Sequence, residues 1–273
     1  MASREQKIEI RGGSGTIDGT LVLPGVLVPG VLFVHGWGGS QQQYLARARE
    51  IAALGCVCLT FDLGGHAGTQ PKRETVSRES NLYDVLSAYD ALAAHPSVDS
   101  SAIAVVGSSY GGYLATILTS MRPVSWLALR VPALYIDTGW ELPKLQLHID
   151  QDLRAYRRSF VATATNRALR ACAAFKGDAL LVESELDTIV PRTVLTSYRE
   201  ALTHTRSITY RCIEGADHGL TQEHDQRAYT ALLVGWLKEM ILGARASTIV
   251  PTATPMELAK NPEAPPQEVS RGA

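Results

Sequence analysis

One short segment, Gly107-Ser108-Ser109-Tyr110-Gly111-Gly112, constrains the fold more than any other part of the sequence. It follows an apolar, β-branched run over 102–106 and opens a helix-like stretch over 113–121. A Gly-x-Ser-x-Gly turn between a strand and a helix is the context of a nucleophile elbow, in which the serine hydroxyl stands clear of the sheet. The pattern predicts Ser109 as a nucleophile, and Ser108 is disfavoured because it is not centred between the glycines. The alternative is a glycine-rich turn with no chemical role.

The rest of the chain alternates strand and helix patterns around this turn. Apolar runs predict strands at 30–34, 57–61, 125–131 and 179–182, and residues 207–213 read as one more strand. Helices are predicted at 41–54, from about 81, at 192–203 and at 226–242. Residues 7–11 and 16–23 read as a separate strand pair. Strands that are nearly all apolar and alternate with helices predict an α/β fold with a mostly parallel central sheet flanked by helices.

Two segments depart from this alternation. Residues 132–176 contain no convincing strand and are longer than an ordinary connection, so we expect a small helical insertion that forms a lid. Beyond residue 245 the sequence is rich in Pro, Thr, Ala and Glu, which predicts a disordered tail over 246–273. The 273 residues therefore fit one large domain over 1–245 followed by that tail.

Composition and charge exclude several classes of function. The formal net charge is −1, so nothing points to nucleic acid or to an anionic membrane surface. The four cysteines have no metal-binding or redox spacing, and no dinucleotide-binding glycine motif is present, so we expect neither a metal nor a cofactor. The charged start of the sequence and the lack of a run of membrane-spanning length lead us to expect a soluble, cytoplasmic protein.

A serine nucleophile needs a base, and that base needs a carboxylate to orient it. Asp187 follows the strand that ends at Val182, and His218 follows the strand that ends at Ile213. The carboxyl ends of parallel strands gather at one edge of a sheet, so these residues can meet Ser109 there. Glu183 and Glu185 are rival carboxylates, but both lie closer to the strand end, and we therefore favour Asp187.

The oxyanion of an acyl-transfer reaction needs two hydrogen-bond donors. One is the backbone N–H of Tyr110, directly after the nucleophile, and the other is expected from the glycine-rich loop His35-Gly36-Trp37-Gly38-Gly39, at Trp37. His35 precedes this loop and is expected to brace it beside the substrate. From the insertion, Tyr135 and Trp140 supply apolar bulk for substrate binding.

The combined motifs resemble those of α/β-hydrolases over residues 15–243. The Gly-x-Ser-Tyr-Gly-Gly-Tyr form is similar to the prolyl-oligopeptidase branch, whereas the short chain and the His35-Gly36 loop resemble dienelactone-hydrolase and feruloyl-esterase types. Dienelactone hydrolases place cysteine where this chain has Ser109. The loop Asp62 to Thr69 resembles a superfamily motif but has Gly64 where Arg is usual and Ala67 where Gly is usual. No propeller domain is found, so exclusion of large substrates by a propeller is not carried over.

These features favour a serine hydrolase that cleaves a small carboxylic ester through an acyl-enzyme. The same machinery also cleaves amides, peptides and thioesters, and it does not distinguish among these leaving groups. A third alternative is an α/β-hydrolase fold used only for binding, although such a protein would be expected to lack part of the site. The expected partner is a small-molecule ester, and the sequence leaves a homodimer open.

Overall fold

The computed structural model describes residues 3–12, 15–24 and 27–249, with side chains described over 27–243 except Pro71 and His148. Eight strands are present in this part of the chain: β1 (Ser3–Gly12), β2 (Gly15–Pro24), β3 (Val28–Val34), β4 (Val57–Thr60), β5 (Val98–Ser108), β6 (Trp126–Arg130), β7 (Asp178–Ser184) and β8 (Ser207–Ile213). Strands β1 and β2 form an antiparallel pair, as their sequence predicts. The other six form one sheet in the order β4-β3-β5-β6-β7-β8, with every neighbouring pair parallel. The predicted α/β fold with a parallel central sheet is confirmed.

Helices cover both faces of this sheet. Between residues 27 and 249 the α-helices are α1 (Gln42–Ala52), α2 (Arg78–Ala93), α3 (Tyr110–Leu118), α4 (Lys144–Asp150), α5 (Leu153–Arg158), α6 (Arg167–Ala174), α7 (Arg192–Ala201) and α8 (Glu223–Ile249). Helices α2, α3, α6 and α7 share one hydrophobic core, and α1 and α8 share the other. None of the described helices has the length and apolar character needed to cross a membrane.

The central strand β5 supplies side chains to both cores. Ile103 and Val105 point into the first core, whereas Ala104 and Val106 point into the second, and all four are fully buried. Successive side chains of a strand face opposite sides, so a strand buried on both faces must be apolar at every position. Full burial of a Val or Ile side chain stabilises the fold by about 1.5–3 kcal/mol. This strand therefore holds the Ser109 turn on a rigid support.

The insertion over 132–176 is helical, as expected, but its parts differ in position. It contains α4, α5, a short 3-10 helix (Thr163–Thr165) and α6. Helix α6 packs on α3 and α7 and contributes Ala168, Leu169 and Cys172 to the core, so it is the crossover helix between β6 and β7. Only the segment that precedes α6 is therefore additional to the basic alternation of strands and helices.

The first residues of the insertion are held by side chains rather than by regular backbone pairing. Four consecutive carbonyl oxygens, from Ala133 to Ile136, each accept a hydrogen bond from a different side chain. The donors in chain order are Tyr198 Oη, Arg157 Nε, Asn166 Nδ2 and Arg78 Nη1, at 2.9, 3.0, 2.8 and 2.7 Å. Buried carbonyl groups need such partners, and these bonds fix the path of the chain beside the carboxyl end of β6.

Two further differences from the sequence-based expectation concern chain segments outside the sheet. The loop expected over 63–78 contains a 3-10 helix, Ala67–Glu74. Helix α8 continues to Ile249, a few residues beyond the expected end of the domain at residue 245. The expectation of a disordered tail otherwise concerns residues 250–273, which lie outside the described residues.

Candidate active site

The turn between β5 and α3 holds Ser109 in a strained conformation. Its backbone angles are φ 52° and ψ −118°, in a region that costs a non-glycine residue about 1–3 kcal/mol. The flanking glycines permit the turn because a Cβ atom at Gly107 would lie 2.7 Å from the Gly111 carbonyl oxygen, and one at Gly111 would overlap the carbonyls of Val34 and His35. The turn thus presents the Ser109 hydroxyl at the carboxyl edge of the sheet.

The structure brings Ser109, His218 and Asp187 together in that order. The Ser109 Oγ atom lies 3.0 Å from His218 Nε2, and His218 Nδ1 lies 2.6 Å from Asp187 Oδ2. The second carboxylate oxygen of Asp187 accepts hydrogen bonds from the backbone N–H groups of Ile189 and Val190, both at 2.8 Å. Asp187 is therefore fixed by the turn that follows β7, and it in turn fixes the plane of the imidazole ring.

The two rival carboxylates are engaged elsewhere. Glu183 Oε1 lies 3.3 Å from Arg192 Nε, and Glu185 Oε2 accepts a hydrogen bond of 2.8 Å from the Gly215 backbone N–H. Neither glutamate hydrogen-bonds to His218. The geometry therefore places Asp187, and not either glutamate, beside the imidazole.

The loop after β3 lies directly against the serine turn. A Cβ atom at Gly36 would be 3.3 Å from Ser109 Cβ, so the absence of a side chain allows the two backbones to approach closely. Within the described chain, neither the Trp37 nor the Tyr110 backbone N–H donates a hydrogen bond to another backbone group. Both donors therefore remain available to an oxyanion beside Ser109.

His35 is buried and braces this loop from below. Its Nδ1–H donates to the Gly36 carbonyl at 2.8 Å, and its Nε2 accepts from the Leu63 N–H at 3.0 Å. Burial lowers the pKa of His35, which keeps the ring neutral, as an Nε2 acceptor requires. Both ring nitrogens are occupied by backbone groups, so His35 holds the loop and does not line the cavity beside Ser109.

Tyr135 and Trp140 lie in an aromatic cluster behind the serine turn. The Tyr135 ring packs against Tyr110 and Tyr113, with centroids 5.7 and 5.0 Å apart, and Trp140 stacks on Tyr113 at 6.0 Å. Tyr135 is buried and Trp140 is half-buried, and neither lines the cavity that contains Ser109. The structure thus places these two residues with the core rather than beside the serine hydroxyl.

A buried cation lies at the centre of this cluster. Lys144 Nζ is 3.9 Å from the centroid of the Trp37 ring, 5.0 Å from that of Tyr110 and 5.2 Å from that of Tyr135. Burial lowers the pKa of Lys144, and a hydrogen bond with the Tyr135 side chain opposes that change. Burial would by itself raise the pKa of Tyr135, but the nearby charges of Lys144 and Arg157 lower it. The insertion therefore contributes a charged group to the back of the site.

The cavity that contains Ser109 has a volume of about 300 Å³. Its lining residues are Gly36, Trp37, Gly38, Gly39, Gln43, Tyr44, Arg47, Ser108, Ser109, Arg130, His218, Gly219, Leu220, Gln226 and Tyr229. The sequence-based reasoning missed Arg47, Arg130 and Tyr229. The sequence could have indicated Arg130, because it is a charged residue at the carboxyl end of an otherwise apolar strand. No group of three His, Cys, Asp or Glu side chains in the described part of the chain is arranged to hold a metal ion.

Comparison with known structures relates this fold to several hydrolases. The chain is similar to a Paleococcus ferrophilus monoacylglycerol lipase, with 17% identity and a TM-score of 0.58 over 88% of this chain and 100% of that one. It is also similar to a dienelactone hydrolase from Anabaena variabilis, with 19% identity and a TM-score of 0.56 over 87% and 98%. A puromycin-hydrolyzing peptidase from Mycobacterium tuberculosis gives 19% identity and a TM-score of 0.60 over 87% of this chain and 40% of that one.

These structural similarities establish the α/β-hydrolase fold. The family is identified by comparison of the sequence with family models. No curated protein matches the chain at a significant level. The model of the prolyl oligopeptidase family matches residues 43–243, which include Ser109, Asp187 and His218. This match covers most of the 273 residues. The chain therefore belongs to the prolyl oligopeptidase family and is a hydrolase.

Proposed function

We propose that the protein is a serine hydrolase that cleaves a small carboxylic ester through an acyl-enzyme intermediate. The observation that carries this proposal is the chain of contacts from Ser109 Oγ to His218 Nε2 at 3.0 Å and from His218 Nδ1 to Asp187 Oδ2 at 2.6 Å. A serine hydroxyl is a weak nucleophile until a neighbouring base removes its proton. These distances are within hydrogen-bond reach for that transfer.

The reaction proceeds in two half-reactions. His218 accepts the Ser109 proton as Oγ attacks the ester carbonyl, and the N–H groups of Trp37 and Tyr110 stabilise the oxyanion that forms. The intermediate collapses, His218 protonates the departing alcohol, and the acyl group remains on Ser109. Water then loses a proton to His218 and attacks the acyl carbon; as the bond from that carbon to Ser109 Oγ breaks and the acid departs, His218 returns the proton to Oγ. Asp187 holds the imidazole in the required tautomer and stabilises its charged form throughout.

The small volume of the cavity beside Ser109 favours a short ester as the substrate. The cavity of about 300 Å³ is at the lower end of the range for ligand sites, so a short acyl or aryl group fits it better than a long chain. Membership of the prolyl oligopeptidase family favours cleavage of an amide or a peptide as the second candidate. The same contacts also serve a thioester.

The test combines covalent labelling with a substrate panel. A fluorophosphonate should label Ser109, as located by peptide mapping, and Ser109→Ala should lose both the label and several orders of magnitude in turnover. A matched set of ester, thioester and amide substrates with the same acyl group then ranks the leaving groups. Labelling of another residue would refute the assignment of the nucleophile. A folded protein that takes no label and hydrolyses nothing would favour the non-catalytic alternative.

We propose that the insertion acts as a lid, and its anchor at the site is the start of α4, where the Lys144 ammonium packs on the Trp37 and Tyr110 rings. We further propose a cytoplasmic protein that acts without a cofactor on a small molecule. Its oligomeric state is measurable by light scattering, which would detect a homodimer directly.

A further inference from the structure

The cavity beside Ser109 carries two guanidinium groups and no acidic side chain. Arg47, from α1, and Arg130, at the end of β6, both line it, and none of the other lining residues is Asp or Glu. The acidic residue one turn before Tyr229 on α8, Asp225, is buried outside this lining, and its carboxylate lies 3.0 Å from His224 Nε2. The cavity is therefore lined by positive charge in a protein whose formal net charge is −1.

Neither arginine is neutralised by the protein. Arg130 Nη1 donates to the His218 carbonyl oxygen at 2.9 Å and to Ser184 Oγ at 3.3 Å. Arg47 donates through Nε to Thr230 Oγ1 at 3.0 Å and through Nη1 to the Gln43 carbonyl oxygen at 2.9 Å. All four acceptors are neutral groups, and no described carboxylate forms an ion pair with either arginine. Each guanidinium has five N–H donors, so both retain donors for a ligand.

Arg130 is the more informative of the two because only 7% of it is exposed. A guanidinium that is removed from water loses hydration energy, which a protein normally restores with a carboxylate partner. No described carboxylate pairs with Arg130, although its guanidinium group lines a cavity large enough for a small molecule. A bound anion would supply the missing compensation.

Two hydroxyl groups extend this arrangement. Ser108 and Tyr229 line the same cavity and are almost fully buried, and neither hydroxyl has a hydrogen-bond partner of acceptable geometry among the described residues. Burial raises the pKa of Tyr229 to about 12, and the nearby Ser108 hydroxyl opposes this change. The Tyr229 hydroxyl therefore keeps its proton near neutral pH and remains a hydrogen-bond donor.

We infer that this cavity binds a carboxylate of the substrate, so that the ester cleaved at Ser109 is an anionic one. The inference rests on the proposed function, because it takes the substrate to be the molecule hydrolysed at Ser109. A carboxylate matches the planar guanidinium groups and leaves room for the scissile ester in about 300 Å³. It belongs either to the acyl part of the ester or to its leaving group.

Matched substrate pairs test the inference and locate the charge. The first pair, mono-p-nitrophenyl succinate and p-nitrophenyl isocaproate, has acyl groups of similar shape with and without a carboxylate. The second pair, p-acetoxybenzoate and p-isopropylphenyl acetate, varies the charge of the leaving group in the same way. The wild-type protein should have the higher kcat/KM for the anionic member of at least one pair. Preference for the neutral member in both pairs would overturn the inference.

Variants at two arginines of α1 give the decisive comparison. In Arg47→Gln the ratio of kcat/KM for the anionic to the neutral substrate should fall by about tenfold or more, chiefly through KM, since one charge-assisted hydrogen bond is lost. Arg49→Gln is the matched control, because Arg49 is exposed on the same helix and does not line the cavity, and its ratio should stay as in the wild type. An equal ratio in the wild type and in Arg47→Gln would refute the anion site.

A binding measurement separates this inference from the proposed function. Titration calorimetry of succinate into Ser109→Ala should detect binding, and adding Arg47→Gln should weaken that binding by about tenfold or more. If no ester is hydrolysed and yet succinate binds through Arg47, the proposed function fails while the anion site is supported. If Ser109 is labelled and esters are hydrolysed but succinate does not bind, the proposed function is supported and the anion site is refuted.

Discussion

The Trp37 ring meets the Tyr110 ring edge to face, with centroids 5.5 Å apart and planes inclined at 84°. These two residues also supply the backbone N–H groups that we propose as oxyanion donors. Lys144 Nζ lies over both rings, at 3.9 and 5.0 Å from their centroids. The spacing of the two donors thus depends on side chains that pack together on one ammonium group. Because α4 begins at Lys144, this contact couples the insertion to the serine turn.

Lys144→Met tests whether this contact positions the oxyanion donors. The substitution retains much of the side-chain volume but removes a desolvated cation–π contact, and small displacements of a catalytic group are costly. We expect kcat to fall by on the order of 10- to 100-fold with little change in KM. Circular dichroism locates the melting transition of the variant. Steady-state kinetics at a temperature well below that transition then gives kcat and KM.

Lys238→Met is the control for Lys144→Met, since Lys238 is an exposed lysine of α8 and lies outside the site. Its kinetic constants should match those of the wild type. A rise in KM with unchanged kcat in Lys144→Met would show that the ammonium group affects substrate binding and does not position the oxyanion donors.

Asp187→Asn should lower kcat strongly while preserving the fold. The asparagine oxygen can keep the hydrogen bonds from the Ile189 and Val190 N–H groups, which leaves the amide nitrogen facing His218 Nδ1. That nitrogen donates where Asp187 accepts, so it favours the wrong imidazole tautomer, and the expected loss is about 10⁴-fold. Kinetics with a p-nitrophenyl ester and a thermal melt give the two readouts.

Glu183→Gln and Glu185→Gln are the comparison variants for Asp187→Asn. Their carboxylates contact Arg192 and the Gly215 N–H rather than the imidazole, so each should retain most of the wild-type turnover. An inactive glutamate variant beside an active Asp187→Asn would mean that the orienting carboxylate has been wrongly identified.

Gly111→Ala should destabilise the protein, because the added methyl group has no room. Its Cβ atom would overlap the carbonyl groups of Val34 and His35, which are backbone atoms that cannot rotate away. Overpacking of this kind costs about 1–3 kcal/mol of unfolding free energy. Urea unfolding monitored by circular dichroism measures the loss.

Gly235→Ala is the opposite case and serves as the reference for Gly111→Ala. Gly235 lies within α8, and a Cβ atom there would have no neighbour within 4 Å. Replacing a helical glycine with alanine should stabilise the fold by roughly 0.5–1 kcal/mol. Equal effects of the two substitutions would contradict the role assigned to the close approach at Gly111.

The sequence predicted which three side chains meet at the Ser109 turn better than it predicted the residues around them, and the reason is physical. Ser109 and Asp187 follow strands with clear apolar patterns, β5 and β7, and His218 follows the edge strand β8; parallel strands bring their carboxyl ends together. Arg47 and Arg130 come from elements far apart in the chain, and only side-chain directions show that they share one cavity.

Residues of the insertion were harder to place for a different reason. Helices α4, α5 and α6 are 7, 6 and 8 residues long, too short for a clear periodic pattern. Apolar bulk alone indicated that Tyr135 and Trp140 would be buried, but it did not distinguish burial against a substrate from burial in the aromatic cluster. The cluster depends on contacts with Tyr110 and Tyr113, which local sequence patterns do not reveal.

The stability of the loop around His35 should depend on pH. His35 Nε2 accepts a hydrogen bond from the Leu63 N–H, and a second ring proton would eliminate this acceptor. Burial lowers the pKa of His35 below the ordinary value of 6.5, and burial also lowers that of His66. Below that ordinary value the unfolded chain binds protons that the folded protein excludes, so the unfolding free energy falls as the pH decreases through the window beneath 6.5.

Urea unfolding between about pH 7.5 and about pH 5.5 should therefore show a loss of stability on the acid side, limited to about 1.4 kcal/mol per pH unit for each histidine. His35→Gln, whose amide oxygen can still accept from Leu63, should retain the fold and show a weaker pH dependence over this window. His95→Gln replaces an exposed histidine and should keep the wild-type dependence. The same slope in His35→Gln as in the wild type would mean that carboxylates or His66, and not His35, carry the acid sensitivity.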